Sequence, residues 1–375
     1  MKAITPLEKA WNLQPGSYDT GMYLALSYSM SGQYQEADGV LSQIQTEASP
    51  SLELLLLQGS TRARLGKWDD AERLLNQALK SYPNQAGAYL NLGLFYLERH
   101  QDEKAMSLIE KGAQYMTKGT KLLYSIGTGE NCEGLNPPLE VKKQDTARGK
   151  FYNDLGRALH ENGQNGSSLA VYLLALQNDN LNTHAYAEIG RLCWEADHVE
   201  VARRFLLRGL EVRPDSWELL FNMGLLYQSL SQLENAVRSY EKAIASEKEH
   251  AQAIHWVQLG TAQFGTPKLG EAAAEHSFRK ALEIDPNSAQ AHYQLGKLYL
   301  QQKDYDKAEQ FLERAIALDP SLVRAYYQYG MACIRNGKAE KGKEMLETFN
   351  RKRSLRTMPG MGGMQAEPMS EKILQ

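Results

Sequence analysis

Residues 291–320 read AHYQLGKLYLQQKDYDKAEQFLERAIALDP, and their spacing sets the architecture. Leu295, Gly296 and Tyr299 share one face of a first helical stretch; Ala308, Leu312 and Ala315 share one face of a second, which Pro320 stops. A glycine set in the same pattern of Leu, Tyr and Ala recurs at Gly59, Gly93, Gly156, Gly190, Gly224, Gly260 and Gly330. A unit that short cannot bury its apolar face alone, so self-similarity at a nearly fixed interval calls for stacked helix pairs in which each repeat is covered by its neighbours.

His292, Leu295, Gly296 and Tyr299 occupy the slots of the motif W-x2-L-G-x2-Y, and Ala308, Leu312, Ala315 and Pro320 fill the later slots of the same pattern. On these residues the chain resembles the tetratricopeptide repeat, over almost its whole length. The resemblance implies an all-α fold, a right-handed superhelical solenoid of antiparallel helix pairs. Counting each repeat from seven residues before its glycine slot gives starts at Tyr18, Leu52, Ala86, Gly149, Thr183, Trp217, Ala253, Ala289 and Val323. Small residues (Ala37, Ala71, Ala105, Ser168, Ala202, Ala236, Ala274, Ala308) mark the point where the second helix must approach its neighbour closely. Larger residues four positions on, such as Tyr172, Tyr240, Phe278 and Leu312, fill the space beside them. Pro83, Pro214, Pro286 and Pro320 end second helices, because the residue before a proline disfavours helix.

The register divides the chain into a half-repeat helix over 1–17, repeats one to three over 18–117, a long loop insertion over 118–148, repeats four to nine over 149–350, and a basic, then Met/Gly/Pro-rich flexible tail over 351–375. The first residues align with a second helix, Ala10 matching Ala281 and Pro15 matching Pro286; Thr5, Pro6 and Glu8 read as its capped start. That reading disfavours a signal peptide. A turn around Gly265, Thr266 and Pro267 is about two residues long relative to its neighbours, a change with little entropic cost.

Composition narrows function mainly by exclusion. A formal charge of −3 over 375 residues points to neither nucleic acid nor an anionic membrane. No apolar run reaches the 18 residues of a membrane-inserted helix; LELLLLQG, residues 52–59, is far too short. Cys132, Cys193 and Cys333 form no even framework and read as free thiols, which suits the reducing cytoplasm. No metal-binding spacing and no nucleophile elbow is present, and GTGENCEG (127–134) lacks the Lys-Ser/Thr of a phosphate loop. The chain therefore reads as a non-enzyme with no cofactor and no metal. Met358, Met361, Met364 and Met369 read as part of the flexible tail, and Arg351, Lys352, Arg353 and Arg356 as a solvated helix end.

The resemblance implies that the first helix of each repeat lines a concave groove through slots 2, 5, 6 and 9. Slot 6 of the last four repeats gives Asn222, Gln258, Gln294 and Gln328, a row of amides that can donate to and accept from a peptide backbone. Phe221, Val257, Tyr293 and Tyr327 at slot 5 and Leu225 at slot 9 would be its apolar walls. In the first three repeats the inner slots are Met22, Tyr23, Leu26, Leu56, Leu57, Leu90, Asn91 and Leu94, an apolar stripe fitted to a helix-in-groove or subunit interface, or to cover by the long loop or the Met-rich tail folding back. The carboxylate clamp of co-chaperone members is not supported: Asn91 and Lys150 match two of its slots, but Leu56, Ser60 and Asp154 occupy the others. Two functions remain. One is an adaptor or scaffold holding an extended peptide segment of a protein partner; the alternative is a structural subunit that assembles through the N-terminal stripe.

Overall fold

A computed structural model describes residues 4–44, 50–115, 132–138, 146–161, 163–247, 251–266 and 270–357. Among them run nineteen helices. α1 (Ile4–Leu13) stands alone. Nine pairs follow: α2 (Tyr18–Met30) with α3 (Tyr34–Gln43), α4 (Leu52–Arg64) with α5 (Trp68–Ser81), α6 (Ala86–Glu98) with α7 (Asp102–Ala113), and α8 (Thr146–Glu161) with α9 (Asn165–Asn178). Next come α10 (Thr183–Glu195) with α11 (Val199–Val212), and α12 (Trp217–Ser229) with α13 (Leu233–Glu247). The last are α14 (Ala253–Phe264) with α15 (Gly270–Ile284), α16 (Ala289–Gln301) with α17 (Tyr305–Leu318), and α18 (Val323–Arg335) with α19 (Ala339–Thr357). Every repeat start read from the sequence except Gly149 is the first residue of a helix. The proline stops hold too: α5, α11, α15 and α17 each end two residues before Pro83, Pro214, Pro286 and Pro320.

The glycine period has a packing cause. An ideal Cβ placed on Gly59, Gly93, Gly190 or Gly296 would lie within 2.9 Å of a side chain of the partner helix: Leu75, Ile109, Leu206 or Leu312. Each of these contacts is sixteen residues downstream of its glycine, whereas Gly260 meets Phe278 eighteen residues on, where the long turn after α14 adds its two residues. The small residues of the second helices are fully buried at these crossings. At Ser168 the hydroxyl also donates to Gly156 O at 2.7 Å.

The chain divides into two compact units, Met1–Asn131 with Pro138–Ala185, and Cys132–Pro137 with Tyr186–Gln375. Within each, first helices of neighbouring repeats touch directly, as α2 does α4, α4 does α6, and α12, α14, α16 and α18 do in turn. Among the described residues, the second helices α13, α15, α17 and α19 make no comparable contact with one another. First helices therefore form the inner layer.

Four expectations are corrected. α1 begins at Ile4, so Thr5 is a helical residue instead of a cap. α8 begins at Thr146, inside the expected loop. The basic run is not tail: α19 continues to Thr357, with Lys352 Nζ 5.2 Å above the Tyr326 ring, and cations near its C-terminus complement its dipole. Residues 358–375, with the four methionines, lie outside the described residues. Finally, Cys132 and Cys193 are not thiols: they form a disulfide, and Cys333 is free and buried. With that bond in place, the thiol argument for a reducing cytoplasm loses its footing. Most of the expected loop lies outside the described residues, but Cys132–Pro137 does not leave the repeats; it belongs to the second unit. No described helix is long and apolar enough to cross a membrane.

Candidate peptide groove and N-terminal concavity

The amide row lies on four consecutive inner helices, α12, α14, α16 and α18, at one register. Two of its members are already engaged. Asn222 Nδ2 donates to Ala187 O of α10 at 3.5 Å, and Gln294 Nε2 donates to Thr261 Oγ1 of α14 at 3.2 Å. Gln294 is only 7 % exposed, and its Oε1 is buried without a hydrogen-bond donor. Gln258 and Gln328 are half-buried and display their amides on the same layer. These two remain partly exposed, while Asn222 and Gln294 tie neighbouring inner helices together.

The walls are likewise divided. Tyr327 is 42 % exposed, and Phe221 and Leu225 are half-buried. Val257 and Tyr293 instead belong to the core, Val257 packed with Ala281 and Ala291, and Tyr293 within the cluster around Leu295 and Leu312. Beside Tyr293 the sequence also places two cations, Lys297 on α16 and Arg324 on α18. Lys297 Nζ lies 5.4 Å from the Phe264 ring centroid. Burial, and next the positive charge of Arg324, hold the Lys297 ammonium below its ordinary range. Two cationic side chains and the Phe264 ring thus share this end of the inner layer.

The N-terminal stripe is open only at its first repeat. Tyr23 is 64 % exposed, and Met22 and Leu26 are half-buried; with Tyr18, Asp19, Glu53 and Leu57 they line a concavity of about 400 Å³. Leu56, Leu57, Leu90, Asn91 and Leu94 are buried, so the expected exposed surface is corrected to this smaller patch. α4 is flanked by α2 and α6, Leu90 lies against Gly112 of α7, and Asn91 Nδ2 donates to Gly87 O at 2.6 Å. Those slots face neighbouring helices before they face a groove.

Family models described as tetratricopeptide repeat match residues 56–115, 218–250, 271–328 and 301–352. The chain is a tetratricopeptide-repeat protein. It is similar to the human protein O-mannosyl-transferase TMTC3, 23% identical over 273 residues, which is 67% of this chain and 28% of that protein. It is also similar to human Superkiller complex protein 3, 24% identical over 268 residues, 68% of this chain and 17% of that protein. The matched region thus spans under a third of either relative. Among solved structures, the type IV pilus biogenesis factor PilW superposes with a TM-score of 0.50 at 16% identity, over 55% of this chain and 94% of that one, a likeness of fold.

One slot of this tetratricopeptide array carries a buried histidine in a single repeat. Ala88, Ala185, Ala291 and Ala325 hold the third position of their repeats, whereas the seventh repeat has His255 there. Its buried imidazole lies 4.7 Å from the Phe221 ring and 5.2 Å from Trp217, with Nδ1 2.6 Å from Glu247 Oε2 and 3.3 Å from Gln252 N. Burial lowers the His255 pKa below its ordinary 6.5, against the pull of Glu247. The folded protein then binds this proton less readily than the unfolded chain, so stability from the neutral imidazole is full above pH 6.5 and is lost as pH falls through the folded value. Melting temperature measured from pH 7.5 to 5 should fall more steeply for wild type than for His255→Ala, which installs the residue that four sister repeats carry. Parallel pH profiles would exclude the imidazole as the cause. Among the described residues, no group of three or more His, Cys, Asp or Glu side chains is gathered to hold a metal ion.

Proposed function

We propose that this tetratricopeptide-repeat protein is a non-catalytic adaptor that holds an extended protein segment against the inner layer of α12, α14, α16 and α18. Its partner is a peptide and not a nucleic acid. The observation that carries this reading is the pair Gln258 and Gln328, half-exposed amides at equal register one repeat on either side of the buried, tethered Gln294. An amide that donates to a peptide carbonyl and accepts from a peptide N–H holds backbone with little regard to sequence. Lys297, beside the Phe264 ring, adds a preference for a carboxylate side chain, and Tyr327 an exposed apolar contact.

The test begins with selection of ligands from a displayed library of random peptides, followed by affinity measurement on synthetic copies. Gln258→Ala with Gln328→Ala should weaken binding about five- to a hundredfold, from two hydrogen bonds at about 0.5–1.5 kcal/mol each, with the melting temperature unchanged. Acidic residues should be enriched among the selected peptides. Ligands that bind the double variant as tightly as wild type would exclude the amide mechanism.

The assembly reading rests on a separate observation, the concavity under exposed Tyr23. Self-association through it should yield a dimer at micromolar concentration by light scattering, reduced to monomer by Met22→Ser with Tyr23→Ser. A wild-type chain that stays monomeric removes that reading. Leu56 and Leu90 are unsuited to this test, since their burial makes a serine there a folding defect.

A further inference from the structure

Residues 132–137 sit on the fifth repeat, fastened at two independent points. Cys132 is bonded to Cys193 of α10, and both are buried. Arg204 of α11 reaches the same segment with both ends of its guanidinium, Nη1 donating to Asn136 Oδ1 at 2.7 Å and Nη2 to Leu135 O at 3.2 Å. The segment is itself a formed turn: Leu135 N donates to Cys132 O at 3.2 Å, Asn136 Nδ2 donates to Gly134 O at 3.1 Å, and Gly134 has φ +77°, a left-handed conformation suited to glycine. The sequence makes room for it. The slot that holds Cys193 is filled by Tyr28, Tyr96, Tyr227 and Tyr299 in four other repeats, so the fifth lacks a large ring where Cys132 enters. Cys333 has the same slot in the ninth repeat, meets no second cysteine and stays a thiol.

We propose that Cys132 and Cys193 are an oxidation site of the working protein, cross-linked by exchange with an organic disulfide, and that the chain therefore works in an oxidising compartment. Cys132, on the segment, is the thiol that meets the oxidant, before the turn seats against α10 and buries it. Its thiolate attacks one sulfur of R–S–S–R, one R–S⁻ leaves and takes up the Cys132 proton, and a mixed disulfide remains. The Cys193 thiolate then attacks the Cys132 sulfur and expels the second R–S⁻, which takes up the Cys193 proton. Two cysteine sulfurs are each oxidised by one electron, R–S–S–R is reduced to two R–SH, and the turn is fixed in place as it docks. Such cross-links persist where the thiol pool is oxidising and are rare in the cytosol.

The test is a count of thiols on the full chain. Protein equilibrated with oxidised glutathione, then denatured and alkylated, should gain one alkyl group, on Cys333; prior reduction should raise the count to three. Native cells quenched in acid before alkylation should give the same single group, with a peptide map joining Cys132 to Cys193. Cys132→Ser should gain two groups, on Cys193 and Cys333. Three groups on unreduced chain from quenched cells, a Cys193–Cys333 link, or an internal disulfide surviving in Cys132→Ser would overturn the proposal.

Discussion

Gly296→Trp should collapse the cooperative unfolding of the last repeats and lower the urea midpoint by the equivalent of about 3 kcal/mol or more. An ideal Cβ on Gly296 already lies 2.5 Å from Leu312 Cγ and 3.2 Å from the Leu312 backbone nitrogen, so the obstruction includes main chain that no rotamer change can clear. Leu312 is fully buried in the cluster formed by α15 to α18, which leaves it no space to retreat into. Even Gly296→Ala should destabilise. The roughly 1 kcal/mol of helix propensity gained is offset by an overpacking cost of about 1–3 kcal/mol. Gly39 is the control. It is exposed on α3 with nothing within 4 Å of an added Cβ, so Gly39→Ala should stabilise by about 0.5–1 kcal/mol. Circular dichroism through urea titration reads all three variants; a Gly296→Ala chain as stable as wild type would show that the crossing yields easily, against the close approach described.

Under oxidising conditions, Cys132→Ala should cost about 2–4 kcal/mol of stability, because the cross-link closes a loop of 61 residues in the unfolded chain. Cys193→Ala should cost nearly the same, and the double variant no more than either single, since each removes the same bond. Added reductant should bring wild type down to the level of the variants. Additive losses in the double variant would mean that the two side chains stabilise by packing and not by their bond.

The inner row illustrates how far the linear pattern carries. Slot counting placed Asn222, Gln258, Gln294 and Gln328 on successive inner helices, and they are there. It did not distinguish Gln258 and Gln328, which are half-exposed, from Gln294, whose amide is spent on Thr261. That difference depends on a side chain of the preceding repeat, 33 residues away. His255 stands in a slot that four sister repeats fill with alanine, but its carboxylate neighbour Glu247 comes from the preceding helix and follows no repeat rule.

Local periodicity determined where helices begin, which faces turn inward and where glycine or alanine must stand, because each repeat packs chiefly on its neighbours and the pattern states those contacts directly. Tertiary structure decided what the period does not encode. Leu56, Leu90 and Leu94 occupy inner slots as Met22 and Tyr23 do, yet flanking helices bury the first three and leave the others open. Cys132 lies in a segment with no period at all, so only the folded chain could bring it to Cys193, where a missing tyrosine leaves the fifth repeat open to it.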